Sequence, residues 1–151
     1  VADAIASVCG AGMPEARRIT TGTAKQVAWM ALDEVLILCP HDLAQIVVAD
    51  LGKALEGVHH LTVNVSDARA VFTVTGEAGV LKDTLSKLSP ADMAALAPGE
   101  MRRTRLAQVA AAIWFEEAGT ARVICFRSVA RYVFDLLSTA ARPGGKVGYH
   151  R

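Results

Sequence analysis

The stretch 101–145, MRRTRLAQVAAAIWFEEAGTARVICFRSVARYVFDLLSTAARPGG, constrains the fold more than any other part of the chain. It holds two apolar runs of strand type, Arg103–Phe115 and Ala121–Arg127, joined by the polar segment 116–120. Val129, Val133, Leu136, Leu137 and Ala140 then recur at helical spacing. Ser128 is placed as an N-cap, and Arg142-Pro143-Gly144-Gly145 as a stop. A strand pair followed by a helix with one apolar stripe must lay that stripe on the sheet. The expected class is therefore α+β, an antiparallel sheet covered by helices. Almost no ionisable group here is placed for chemistry, which points to holding a partner rather than turning over a substrate.

The same order recurs upstream. Gln26–Leu32 and Val35–Cys39 flank Asp33-Glu34 as a hairpin, and Pro40, which has no N–H for a ladder, stops the second strand. Asp42 is a candidate cap for a helix with Leu43, Ile46, Val47, Leu51 and Leu55 on one face, closed by Gly57. Val58–Val65 alternates Leu61, Val63 and Val65 against His60, Thr62 and Asn64, the period of a half-buried strand. Ala70–Thr75 reads as its neighbour across Ser66-Asp67. A helix over 77–88 follows, and Ser89-Pro90-Ala91-Asp92 starts a short one that ends at Pro98-Gly99. The sum is ββα-ββα-ββα, and from Val35 it contains the β-α-β-β-α-β order of ferredoxin-like units.

The domain organisation expected is an irregular N-terminal segment over 1–23, a single α+β domain over 24–142 and a flexible tail over 143–151. With 52% hydrophobic and 21% charged residues the chain can fill one core, so disorder is excluded. No apolar run approaches the roughly 20 residues of a membrane span. The first residues lack the basic start and apolar core of a secretory signal. Cys9, Cys39 and Cys125 are odd in number and far apart, which fits neither a disulfide framework nor a zinc site. A reducing, cytoplasmic setting is expected.

Charge is segregated. Residues 1–100 carry 7 Lys/Arg against 12 Asp/Glu, net −5, and residues 101–151 carry 9 against 3, net +6. Such polarity orients a partner. Nucleic acid is not the expected partner, because the basic residues lack interleaved exposed aromatics and a recognisable binding motif. Arg102, Arg103 and Arg105 form the densest charge run, and on a strand Arg103 and Arg105 share one face while Arg102 takes the other. Charge on an edge strand blocks unwanted pairing, and arginine also favours interfaces. With Arg127 these are the candidate contact residues.

The other chemical candidates each have a plainer reading. His59-His60 on a strand would point to opposite faces and could not grip one metal. Glu116-Glu117 sits at a hairpin tip, where carboxylates are solvated. Trp29, Trp114, Phe115 and Phe126 could line a pocket for a planar ligand or belong to the core. Gly76-Glu77-Ala78-Gly79 precedes a helix but lacks the lysine and spacing of a phosphate loop. No Ser/His/Asp or Cys/His set stands out, so no catalytic, cofactor-binding or metal-ligating residue is assigned.

The order of ALDEVLILCP, then VSDARAVFTVTGEAGVLKDTLSKLSPADMAALAPGEMRRTRLAQVAAAIW, then VICFRSVARYVFDLLSTAA resembles the gamma subunit of heterotetrameric sarcosine oxidase, over Trp29 to Ala141. More distantly it is similar to the folate-binding domain of aminomethyltransferases. The first resemblance implies an accessory, noncatalytic subunit packed against larger alpha, beta and delta subunits, with FAD, FMN, NAD and tetrahydrofolate on those partners and a longer N-terminal segment than this chain has. The reaction implied turns sarcosine, water and oxygen into glycine, hydrogen peroxide and formaldehyde, the last captured by tetrahydrofolate. The second resemblance implies an alternative, a stand-alone folate-binding or one-carbon-transfer protein. Aminomethyltransferases place an acidic pair for folate in the strand matching Val109–Trp114, where this chain has Ala110, Ala111 and Ala112.

Overall fold

The computed structural model describes residues 1–150. They form two compact units, Val1–Asp67 and the chain from Ala68 onward.

In the first unit, β1 (Ile19–Thr21), β2 (Gln26–Ala31) and β3 (Glu34–Leu38) form an antiparallel sheet in that order. The β2–β3 hairpin falls where the sequence placed it. Two helices, α1 (Ala2–Cys9) and α2 (Ala44–Ala54), pack together, and Ile5, Cys9, Ala11, Val27, Val47 and Leu51 make the core. The segment expected to be irregular thus contains a helix and a strand. Ile5 and Cys9, four apart, bury one stripe of α1, and Gly10 closes it at φ 65°, a left-handed conformation that glycine adopts freely. Small residues around that stripe hide its period.

The second unit runs β4 (Arg69–Thr75), α3 (Ala78–Ser86), β5 (Met101–Leu106), β6 (Val109–Glu117), β7 (Thr120–Phe126) and α4 (Ala130–Ala140). Its antiparallel sheet has the order β4-β7-β6-β5, leaving β4 and β5 as edges. Leu81 and Leu85 from α3, with Val133 and Leu137 from α4, pack on Leu106, Ala111, Ile113, Phe115, Ala121, Val123 and Cys125 of the sheet. Each fully buried Leu, Val or Phe contributes roughly 1.5–3 kcal/mol by leaving water, so this layer carries most of the unit's stability. The antiparallel α+β architecture is the one expected.

Four local readings are corrected. The run Arg103–Phe115 is not one strand, because Ala107 turns the chain at φ 48° and pairs Leu106 with Val109. Alanine carries no turn signal, and this turn is held by Ala107 N–H donating to Leu88 O at 2.8 Å. Val58–Val65 forms no strand, since no neighbouring edge meets it. Residues 89–99 form turns rather than a helix; Asp92 Oδ1 takes the N–H groups of Ala94 and Ala95 at 2.9 and 3.2 Å, and Gly99 at φ 74° breaks the run. Neither Asp42 nor Ser128 caps a helix through its side chain. Both lie inside 3₁₀ turns, His41–Leu43 and Arg127–Val129, that lead into α2 and α4.

Among the described residues, 141–150 hold no helix or strand, yet they meet α3 and the residue that follows it. Asp83 takes the N–H groups of Gly148, Tyr149 and His150, while Lys87 donates to the carbonyls of Ala140 and Gly145.

Candidate subunit interface

Strand register assembles the candidate contact residues into a surface. One face of the second unit's sheet carries α3 and α4. On the other face Arg69 lies opposite Phe126, and Arg105 opposite Ala110. One step beyond the Ala111–Cys125 pair brings Ala110 level with Phe126, so Arg69, Phe126, Ala110 and Arg105 form a row across four strands. The next row is Val71, Ile124, Ala112 and Arg103. Phe126 is 47% exposed and Val71 45%, whereas Ile124 and Ala112 are buried. Arg103, Arg105 and Ala110 are exposed.

The exposed apolar side chains here are Phe126, Val71 and Ala110, the first row has a guanidinium at each end, and neither row holds a carboxylate. Arg69 stacks its guanidinium 4.0 Å from the Phe126 ring centroid, a cation–π contact that holds the aromatic side chain in place. Arg127, one residue past β7, is exposed at the same end of the sheet. Arginine beside exposed aromatic and aliphatic side chains is the composition favoured at protein interfaces.

Arg102 stands apart from this surface. It shares the helix-bearing face with Thr104 and Leu106, and its Nη1 lies 2.7 Å from Glu100 Oε1. Both side chains are largely buried, at 22% and 12% exposure. Arg103 and Arg105 therefore share this face, Arg127 lies in the 3₁₀ turn just past β7, and Arg102 is spent on an internal ion pair. Arg69, Val71 and Phe126 were not legible as part of the surface. Only the pairing of β4 with β7 places them there.

The remaining candidates separate. Phe115 packs in the core, and Trp114, its neighbour on β6, takes the opposite face, so the two line no common pocket. Trp114 Nε1 is buried with no acceptor among the described residues. Glu116 sits in the bulge between Phe115 and Glu117 and pairs with Arg122 Nε at 3.1 Å. His59 and His60 are exposed, and His60 Nδ1 contacts Val58 O at 2.8 Å. Among the described residues no three His, Cys, Asp or Glu side chains are grouped to hold a metal.

Burial raises all three thiols above the ordinary cysteine range. A lysine (Lys25, near Cys9 and Cys39) or an arginine (Arg69, near Cys125) offsets this in part. Neutral thiols are poor nucleophiles and poor ligands. On β6, Ala111 and Ala112 are buried and Ala110 is exposed, so the three present only methyl groups. Among the described residues no helix is long and apolar enough to cross a membrane.

The family model described as "Sarcosine oxidase, gamma subunit family" matches residues 1–142. The chain belongs to that family. Its fold also matches a heterotetrameric sarcosine oxidase from Corynebacterium sp. U-96, solved in complex with pyrrole 2-carboxylate. The TM-score is 0.78 at 22% identity, over 93% of this chain and 74% of that one. No curated protein matches in sequence. As a gamma-subunit family member the chain is an accessory subunit of sarcosine oxidase, and the basic, partly apolar sheet face is its candidate contact surface.

Proposed function

We propose that this chain is a noncatalytic gamma subunit that packs against the larger alpha, beta and delta subunits of a cytoplasmic, heterotetrameric sarcosine oxidase. In this reading FAD, FMN, NAD and tetrahydrofolate are held by the partners. The overall reaction takes sarcosine, water and oxygen to glycine, hydrogen peroxide and formaldehyde, with the one-carbon unit passed to tetrahydrofolate. The observation that carries the reading is the family match across residues 1–142.

Physical support comes from β6 and from the sheet face beside it. Alanine methyl groups at 110–112 offer no acceptor to a pterin, so the strand is better suited to packing than to gripping a one-carbon carrier. Arg103, Arg105 and Arg127 would meet carboxylates of a partner, with the exposed Phe126 and Val71 buried beside them. A partner that binds only the folded chain also stabilises it by mass action.

The test is to purify the chain with and without the larger subunits. Alone, it should show no flavin absorbance and no sarcosine oxidation; together, it should elute with the flavin-bearing subunits. Oxidation of sarcosine by the isolated chain would overturn the reading. So would failure to associate with the larger subunits.

A further inference from the structure

Residues 59–65, HHLTVNV, have the sequence of a strand without its partner. They run with no helix, turn or bend between the α2 exit and a short 3₁₀ turn at Ser66–Ala68, and none has positive φ. No backbone N–H or C=O in 59–65 bonds to another backbone group among the described residues. Leu61 is 87% exposed and Val63 50%, with Val58 beside them at 45%. Unpaired backbone and exposed alternate aliphatic side chains are the two halves of an unused strand edge.

The charge pattern says whether this edge is meant to stay open. Charges on a strand edge hinder pairing by another strand, as Arg103 and Arg105 do on the edge strand β5. From Gly57 to Ser66 there is no Asp, Glu, Lys, Arg or Pro. An undefended edge of seven residues, roughly 23 Å long when extended, invites pairing by another strand. We infer that residues 59–65 add as a strand to an open sheet edge of a larger oxidase subunit, with Leu61 and Val63 seated in apolar pockets beside that edge. This mode takes affinity from main-chain hydrogen bonds and specificity from alternate side chains. The uncharged segment is suited to a neutral, apolar edge, distinct from the carboxylates that the arginine face requires. The inference rests on the gamma-subunit reading, because that reading supplies the larger partner.

Amide hydrogen exchange on the chain alone and in the assembled oxidase tests it. Alternate amides of 59–65 should exchange freely in the isolated chain and become protected in the complex. Thr62→Pro and Val63→Pro, made singly, each delete one N–H of opposite parity. At least one should weaken assembly about tenfold or more, since a ladder bond is removed from a pairing site. The melting curve of the isolated chain should stay unchanged, because the N–H groups of Thr62 and Val63 bond to no other backbone group there. A complex that assembles with these amides unprotected and both prolines harmless overturns the inference and leaves the subunit reading intact. The same protection in a homodimer of the chain alone overturns the choice of partner. No association of the wild-type chain with the larger subunits overturns the subunit reading, and this inference with it.

Discussion

The carboxylate of Asp83 on α3 accepts the backbone N–H of His150 at 2.9 Å, joining positions 67 residues apart. Gly148 and Tyr149 donate to the same carboxylate at 2.6 and 3.2 Å. Asp83 is 4% exposed, so the three donors replace its water. Charge-assisted bonds of this kind are stronger than neutral ones.

The His150 N–H, foremost, holds the Asp83 carboxyl below its ordinary range; burial opposes this, and the Gly148 and Tyr149 N–H groups and the nearby His150 ring assist. A depressed carboxylate stabilises the folded arrangement fully above its unfolded value of about 3.9 and loses that contribution as pH falls through the lower folded value. Amide protection at 148–150 should therefore persist at neutral pH and vanish in acid below the usual aspartate range. Asp83→Asn should speed exchange at these amides severalfold at pH 7 and flatten that pH dependence. Exchange indifferent to both changes would show that the carboxylate does not hold the tail.

Ala107 occupies the left-handed region at φ 48° without the excuse of being glycine. An L-residue there gives up about 1–2 kcal/mol, and only part is returned when glycine adds freedom to the unfolded chain. Ala107→Gly should raise stability by about 0.5–1 kcal/mol, read as a higher urea midpoint with unchanged slope. A lower midpoint would remove the strain argument.

Leu85 is fully buried between α3 and the sheet. Its replacement by alanine deletes apolar contact and leaves a cavity, at a cost of about 2–5 kcal/mol. Chemical denaturation should show that loss in the second unit's transition. A cost under 1 kcal/mol would mean that the layer can collapse around the gap.

Arg105 is exposed beside Ala110 on the face proposed to meet a partner. Arg105→Glu should leave the isolated chain within about 0.5 kcal/mol of wild type. It should weaken association with the larger subunits about tenfold or more at low salt, and less as ionic strength rises. Titration of subunit binding at two salt concentrations measures both effects. Unchanged affinity would exclude the arginine face from the interface.

The sequence by itself determined the parts whose signal is local. The β2–β3 hairpin, β4, α3 and α4 follow from apolar period and from flanking turn residues, and Arg103 and Arg105 fall on one face because strands alternate. Family membership was legible in the order and spacing of motifs that are individually weak. Tertiary structure decided the rest. Ala107 turns although alanine signals no turn, because Leu88 takes its N–H and pairing with β6 repays the strained φ. Val58–Val65 has the period of a strand but no edge to join, and a ladder needs two. Arg102 points inward to Glu100, while Arg69, Val71 and Phe126 reach the candidate surface only through the register of β4 on β7. Period fixes which side of an element a residue takes; only long-range pairing fixes what lies across from it.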